Sequence, residues 1–299
     1  MSDLHVHHEL ELAELQFNIH CLEADINNGK VPSDAHRGLL PHEIDSKVNF
    51  LAISDETNQF GDQVSKSLST YRDQFLALLT ADLLSQGSTQ AIFSRLQQIP
   101  LVGIAAIPGV VKLLDDSQSA IKSQMLQLFR KSSERIAAEA AAQNVTIVPS
   151  ETPSVESSIA LDVQAKRIAQ DPHLDAFAAM ANAGLTESVV QSPQLTIDTI
   201  KTAGDSLSTK SLVSYSRQAA SSSIGLGRTD AIANAPVEPD IFASELLDSH
   251  TCDPCQRVDG KQYQSIADLK KDYPFGIYVK CLGLWLCRGT PVYVYRNLT

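Results

Sequence analysis

Four cysteines near the end of the chain constrain its fold more than any other feature. They follow the pattern C-x2-C, a gap of 25 residues and then C-x5-C, at Cys252, Cys255, Cys281 and Cys287. A C-x2-C turn aims two thiolates at one point, and a later pair from another loop can complete the tetrahedron that zinc prefers. Two disulfides, or unpaired buried thiols, are the alternative interpretations of the same spacing.

The beginning of the sequence predicts a protein made in a reducing cytosol. The opening residues MSDLHVHHEL lack the positively charged and apolar stretches of a secretory signal. The most hydrophobic segment, Ile99 to Val111, is short and contains two prolines, so we expect no membrane span. Cysteines in that compartment favour metal binding, although an extracellular particle could oxidise them later. The prediction is one structural Zn²⁺ held by the four cysteines.

The residues around the cysteines predict a small antiparallel sheet. Three short segments rich in aromatic and β-branched residues, IFASELLD, KQYQS and PVYVYRN, are typical of strands. Asp259-Gly260 favours a tight turn, which places the first cysteine pair on a hairpin-like loop and not on a catalytic helix. Lys261, Lys280 and Arg288 are near in sequence and would offset the negative charge of a metal–thiolate centre.

The rest of the chain has the hydrophobic periodicity of helices. Apolar residues recur at helical spacing within 10–26, 59–84 and 121–136, and residues 159–183 and 195–222 are also predicted to be helical. The segment 148–158, VPSETPSVESS, is rich in serine and proline and predicts a linker. The fold class is therefore α+β. A helical region at 1–147 and the linker at 148–158 precede helices and the cysteine module at 159–299, with the cysteine motif at 248–296.

Charge is distributed unevenly along the chain. The formal net charge is −11, and residues 1–60 contain eleven acidic and three basic side chains, whereas residues 240–299 contain seven of each. Proteins that bind DNA broadly carry an excess of positive charge on the contacting face. The composition therefore disfavours broad nucleic-acid binding, while a local basic patch stays compatible with it.

Isolated histidines and the fifth cysteine offer weaker candidate sites. His5, His7 and His8 form a cluster, but they lie within the first eight residues, where chain ends seldom form fixed sites. His20 and Cys21 are adjacent on a predicted helix, so their side chains point about 100° apart. That geometry disfavours a Cys-His catalytic pair.

The remaining candidates have structural explanations. The stretch SIGLGRTD, which contains Gly225 and Gly227, lacks the third glycine and the preceding strand of a dinucleotide loop, and a flexible turn is predicted instead. Arg217 and Arg228 are predicted to be surface charges. Trp285, within LGLWL, is predicted to fill a core. If the cysteine loop is exposed instead, that run would bind a partner.

The C-terminal segment from Phe242 to Val294 resembles the C-terminal module of phage Mu F-like minor head (head morphogenesis) proteins. The family pattern is an acidic residue, T-C-x-x-C, an Asp-Gly turn and a Cys-Arg entry to a strand. The matching residues are Asp248, Thr251, Cys252, Cys255, Asp259, Gly260, Cys287 and Arg288. Tyr273-Pro274, Gly276, Tyr278 and Cys281 are similar to the variant found in phages of actinobacteria. Many members close with His-Pro-x-Cys-Arg-Cys, which this chain replaces with Cys281 and Cys287 flanking an apolar run.

The resemblance implies a structural role in a tailed-phage virion. It implies a non-enzymatic minor capsid protein at the capsid interior or the portal vertex. Such a protein is made in the host cytoplasm and co-assembles with the portal protein and with scaffold or major capsid protein, with packaged DNA as a further contact. Arg288 would bind the carboxylate of Asp248 or Asp259. The alternative functions are a metal-dependent effector or toxin and a zinc-stabilised nucleic-acid-binding module.

Overall fold

The computed structural model describes residues 50–184, 193–245, 251–274, 278–282 and 289–295. The helices within these ranges are α1 Phe50–Leu84, α2 Thr89–Val102, α3 Val110–Ala141, α4 Val155–Gly184, α5 Pro193–Ala233, α6 Asp253–Val258 and α7 Ile266–Asp272. The strands are β1 Asp240–Ser244, β2 Gln262–Tyr263 and β3 Thr290–Val294, and a short 3-10 turn, Ile104–Ala106, separates α2 from α3. The predicted α+β class is confirmed, while the helix predicted at 10–26 lies outside the described residues.

The chain forms two compact units, each built from segments that are not consecutive in sequence. The cysteine unit contains the described residues within Met1–Gln59, Leu126–Leu161 and Ala220–Thr299, and the helical unit contains those within Phe60–Met125 and Asp162–Ala219. The predicted linker is irregular up to Ser154, and α4 begins at Val155. The domain boundaries proposed from the sequence stay a prediction. No helix in the described ranges has an apolar stretch long enough to cross a bilayer.

The core of the helical unit follows directly from the periodicity of its helices. Its buried residues on α1, α2, the 3-10 turn and the start of α3 include Phe75, Leu79, Leu83, Ile92, Leu96, Ile99, Ile107 and Val110. Ser88 begins α2 because its side-chain oxygen accepts a hydrogen bond from the Ala91 backbone amide at 3.3 Å. Gly103 ends α2 with a φ of 81°, which a residue with a side chain rarely adopts.

The cysteine unit contains a three-stranded antiparallel sheet with the order β2-β1-β3. Because side chains alternate along a strand, the sheet has two different faces. Ile241 and Ala243 of β1 face the core that contains the cysteines. Phe242 lies on the opposite face with Val292 and Val294 of β3. Both faces are buried, which explains the apolar character of β1.

Side chains from α5 and from the turn that follows α3 bind the outer edge of β3. The Gln143 amide donates to the Tyr293 carbonyl at 3.0 Å and accepts from the Tyr295 backbone amide at 3.0 Å. The Arg228 guanidinium donates to the Pro291 carbonyl at 3.1 Å. These bonds satisfy backbone groups that an open edge strand would offer to another chain.

The structure corrects two predictions about α5. Gly227 lies inside this helix and not in a flexible turn. The position requires glycine because a Cβ atom there would collide with the backbone of Phe129 on α3. Arg228 is fully buried and forms a bidentate ion pair with Glu139, with N–O distances of 3.1 and 2.8 Å. Arg217 is partly buried. The glycine serves close helix packing, and the arginine is a core residue.

Candidate metal centre

Three buried cysteines converge in the cysteine unit. Cys252 immediately precedes α6, Cys255 lies in the first turn of α6, and Cys281 lies in the turn formed by residues 278–282. Their three Sγ atoms lie within 4.8 Å of one another, and the Sγ atoms of Cys252 and Cys281 are 3.9 Å apart. The three residues are 2–5% exposed. The predicted fourth ligand, Cys287, lies outside the described residues.

A short helix holds the first cysteine pair, and this corrects the prediction of a hairpin-like loop. Cys252 has extended backbone angles at the N-cap of α6, and Pro254 lies in the first turn. Proline fits there because its missing amide hydrogen has no partner within the helix in any case. The predicted Asp259-Gly260 turn follows the helix, with Gly260 at a φ of 71°. The Gly260 amide donates to the Ala243 carbonyl at 2.9 Å, so the turn leads back to the sheet.

The sulfur distances match one metal ion held by thiolates. Zinc–sulfur bonds of about 2.3 Å in a tetrahedron place neighbouring sulfur atoms about 3.8 Å apart. The observed 3.9 Å between Cys252 and Cys281 agrees with this value, whereas a disulfide requires about 2.05 Å. No disulfide joins the three described cysteines in this structure. The cluster can therefore bind a metal ion with little rearrangement.

The surroundings of Cys252 favour the charged form that metals bind. Hydrogen bonds from the Cys255 and Cys281 thiols lower the pKa of Cys252 well below its ordinary value, although burial of the sulfur opposes the shift. A thiolate is the form of cysteine that ligates metal ions. Both the lowered pKa of Cys252 and the distances between the sulfur atoms therefore suit the cluster to metal binding.

Three tyrosines pack in the same core as the cysteines. The rings of Tyr263 and Tyr273 meet edge to face with centroids 6.3 Å apart, and the centroids of Tyr273 and Tyr278 are 5.4 Å apart. The Tyr273 hydroxyl donates to the buried carboxylate of Glu245 at 2.8 Å. Burial, with help from the hydrogen bond to Asp272, raises the pKa of Tyr263 far above its ordinary value. The Tyr263 hydroxyl therefore stays protonated and donates a hydrogen bond at one end of this wall of three tyrosine rings.

Asp272 connects this wall to a lysine at the surface. It accepts a hydrogen bond from the Tyr263 hydroxyl at 2.9 Å and pairs with the Lys261 ammonium at 2.5 Å. Burial opposes ionisation of Asp272, but the hydrogen bonds from Lys261 and Tyr263 outweigh it and lower the pKa of this carboxyl. Lys261, predicted to offset the charge of a metal centre, is therefore engaged by a carboxylate. Lys280 is exposed.

The structure gives definite positions to part of the predicted motif. Thr251 is buried, and its carbonyl accepts from the Gln256 side chain at 2.9 Å. Asp259 accepts from the Glu245 backbone amide at 2.9 Å and so fixes the end of β1. Asp248, Gly276, Trp285 and Arg288 lie outside the described residues, as do the candidates His5, His7, His8, His20 and Cys21.

Two acidic residues with structural partners, one buried and one partly buried, were not predicted from the sequence. Asp230 on α5 accepts hydrogen bonds from the Ser154 amide and hydroxyl and from the Ser157 hydroxyl, at 2.8, 3.2 and 2.8 Å. It thereby caps the start of α4. Glu139, the partner of Arg228, is the second. The available signal was the stretch AASSSIGLGRTDAIA, in which Arg228 and Asp230 are the only charged residues among small and apolar ones.

A search of protein-family profiles, curated proteins and solved structures gave no significant match to this chain. Function must therefore be inferred from the site itself and from the residue pattern around it. The site is a buried thiol cluster that can hold a metal ion and thereby join α6 to the turn at 278–282.

Proposed function

We propose that this chain is a non-enzymatic structural protein of a tailed-phage head, and that one metal ion, Zn²⁺, stabilises its C-terminal part. The observation that carries the proposal is the convergence of Cys252, Cys255 and Cys281, which lie within the pattern that resembles Mu F-like minor head proteins. The cysteine cluster supports the metal, and the residue pattern supports the virion role.

Burial of the cluster favours a structural metal over a catalytic one. Catalytic zinc keeps one coordination position open to water or substrate, whereas structural zinc is enclosed by protein ligands. The three cysteines are 2–5% exposed. Among the described residues, no histidine or carboxylate joins them in the cluster. We therefore assign no reaction to the site.

Zinc is the metal that best suits these ligands. Thiolates select soft ions such as zinc, and an all-sulfur tetrahedral site is typical of structural zinc. In this proposal Cys287 supplies the fourth thiolate, as the sequence spacing predicts. The ion would join α6 to the turn at 278–282, which are separated in sequence. Such a cross-link adds stability to a unit whose core is small.

The proposed partners are the portal protein, the scaffold or major capsid protein, and packaged DNA. The helices α3, α4 and α5 have 32, 30 and 41 residues, lengths that offer extended surfaces for assembly. The alternatives are an effector or toxin and a nucleic-acid-binding module. The presence or absence of the protein in phage heads, and the activity of the isolated chain, distinguish these alternatives from a structural role.

The test is the composition of purified particles. Mature heads and proheads of the phage that encodes the chain are separated and analysed by quantitative mass spectrometry. We expect the protein in both, at a constant low ratio to the portal protein. Its absence from heads and proheads would contradict the proposal, and so would enzymatic activity of the isolated chain on a host component.

A matched pair of variants separates the metal from the assembly role. Cys252→Ser removes one ligand of the cluster, whereas Cys21→Ser removes the cysteine that is remote from it in sequence. We expect Cys252→Ser to reduce incorporation into heads, because the C-terminal unit loses its cross-link, and Cys21→Ser to leave incorporation unchanged. Equal incorporation of both variants would show that assembly does not depend on the cluster.

A further inference from the structure

We propose that the cysteine cluster is also an oxidation site, at which Cys252 and Cys281 form a disulfide when the metal ion is absent. This inference rests on the proposed function, because a virion protein is made in a reducing cytosol and later meets an oxidising exterior. In that setting one set of sulfur atoms would provide two alternative cross-links, a metal bridge inside the cell and a disulfide outside it.

The positions of the two sulfur atoms favour this bond. The Sγ atoms of Cys252 and Cys281 are 3.9 Å apart, so a disulfide of about 2.05 Å requires them to approach by roughly 2 Å. Cys281 lies in a short turn, where its amide donates to the Tyr278 carbonyl at 3.0 Å. A turn of this kind can shift more easily than the helix that holds the first cysteine pair.

The competing pair, Cys252 and Cys255, lies at the start of α6. The Cys252 carbonyl accepts from the Gln256 amide at 3.0 Å, and the Cys255 carbonyl accepts from the Asp259 amide at 3.1 Å. A bond between Cys252 and Cys255 is the competing product, because a C-x2-C pair at the start of a helix can also form a disulfide. It would leave the Cys281 turn without a tether, whereas a bond from Cys252 to Cys281 preserves the connection that the metal provides.

The turn that carries Cys281 lies at the surface of the cysteine unit. Its neighbours Val279 and Leu282 are 53% and 52% exposed, although Cys281 itself is buried. A modest opening of this turn brings the thiol to the surface, which buried cysteines inside helices cannot achieve as readily.

The reaction balances with a low-molecular-weight disulfide such as oxidised glutathione as the oxidant. After the metal ion leaves, one protein thiolate attacks the glutathione disulfide, forms a mixed disulfide and releases one glutathione thiolate. The second protein thiolate then attacks the protein sulfur of that mixed disulfide and releases the other glutathione. Two electrons pass to the oxidant. Metal binding and oxidation exclude each other because they use the same sulfur electron pairs.

The experiment uses the full chain in a Cys21→Ser background, so that only the four C-terminal cysteines remain. The zinc-loaded protein is exposed to oxidised glutathione with a chelator or with excess zinc, and intact mass, released zinc and non-reduced tryptic peptides are measured. Trypsin separates Cys281 from the first cysteine pair, because Arg257, Lys261 and Lys280 lie between them. With chelator we expect a protein lighter by two hydrogens, with its peptides cross-linked. Excess zinc should suppress that product.

Single variants identify the sulfur atoms involved. Cys255→Ser and Cys287→Ser should keep the cross-linked peptide, and Cys252→Ser and Cys281→Ser should lose it. A bond within the first pair, a bond to Cys287, or no bond after zinc removal would overturn the inference. A chain that binds no metal yet forms the Cys252–Cys281 bond would contradict the metal part of the proposed function alone. A chain that binds zinc without forming this bond would contradict the inference alone.

Discussion

The core of the helical unit is aliphatic and aromatic, whereas the core of the cysteine unit contains thiols and tyrosines. The cysteine unit also contains an ion pair between the buried Arg228 and the partly buried Glu139. In the helical unit, burial of side chains such as Phe75 and Ile99 requires only that apolar residues recur at helical spacing. In the cysteine unit, each polar group needs a specific partner, such as Glu139 for Arg228 and Glu245 for Tyr273. The first core tolerates many sequences of similar volume, and the second depends on single pairings.

This contrast predicts that the largest single effect comes from the cysteine cluster. Cys252→Ser, or removal of zinc by a chelator, should lower the free energy of unfolding of the cysteine unit by several kcal/mol. The binding free energy of structural zinc, about 10–16 kcal/mol in small peptides, contributes directly to folding. Thermal or denaturant unfolding, with zinc content measured in parallel, checks this expectation.

Phe75→Ala is the control from the other core. It should destabilise the helical unit by about 3–5 kcal/mol through the cavity that it leaves, with no change in bound zinc. If both Cys252→Ser and Phe75→Ala leave the zinc content unchanged, the cysteine cluster does not bind the zinc, and the proposed contrast between the two cores is contradicted.

The next effect concerns the ion pair. Arg228→Met should cost about 3–5 kcal/mol, because the largely buried carboxylate of Glu139 loses its partner. The double variant Arg228→Met, Glu139→Leu should recover much of that loss, since a well-packed apolar pair can replace a buried ion pair. Equilibrium unfolding of both variants gives the comparison. A single variant as stable as the natural chain would show that the pair does not stabilise the unit.

A pair of glycine substitutions tests helix packing in each unit. Gly227→Ala should destabilise the cysteine unit by about 1–3 kcal/mol, because the added methyl group collides with the Phe129 backbone. Gly61→Ala should stabilise α1 by up to about 1 kcal/mol, because alanine favours a helix more than glycine does. Its new Cβ atom would meet Arg217 at an ordinary 3.7 Å, so no clash opposes this gain. Effects of the same sign in thermal melting would contradict the close approach at Gly227.

The smallest expected effect is a dependence on pH. Asp272 has a pKa below its ordinary value of 3.8, so its ionised form stabilises the folded state. That contribution is present above the ordinary pKa and is lost as pH falls through the lowered value. Asp272→Asn should therefore lower the melting temperature at neutral pH, and the difference from the natural chain should shrink towards pH 2. A constant difference across this range would contradict the assignment.

The sequence predicted those parts of the fold that depend on periodic patterns. The stripe from Gln59 to Leu84 lies on α1, and the three strands lie where aromatic and β-branched residues cluster. The convergence of three cysteines was also predictable from their spacing, because few other arrangements use a C-x2-C pair in a reducing compartment.

The features that were missed depend on contacts between distant parts of the chain. Gly227 resembles a turn residue until the backbone of Phe129 is seen beside it. Arg228 resembles a surface charge until Glu139, on another helix, is found as its partner. The helix at Cys255 is too short for periodicity to reveal, since it has six residues. Local sequence cannot specify such pairings because they are set by packing.

The central claim is that the cysteine cluster binds one structural metal ion, and native mass spectrometry of the full chain tests it most directly. The protein is purified without added chelator and weighed under native and denaturing conditions, and the metal is identified by elemental analysis. The account predicts one zinc ion per chain under native conditions, lost on denaturation and absent from Cys252→Ser. A chain with reduced cysteines that carries no metal and is as stable as Cys252→Ser would contradict the claim.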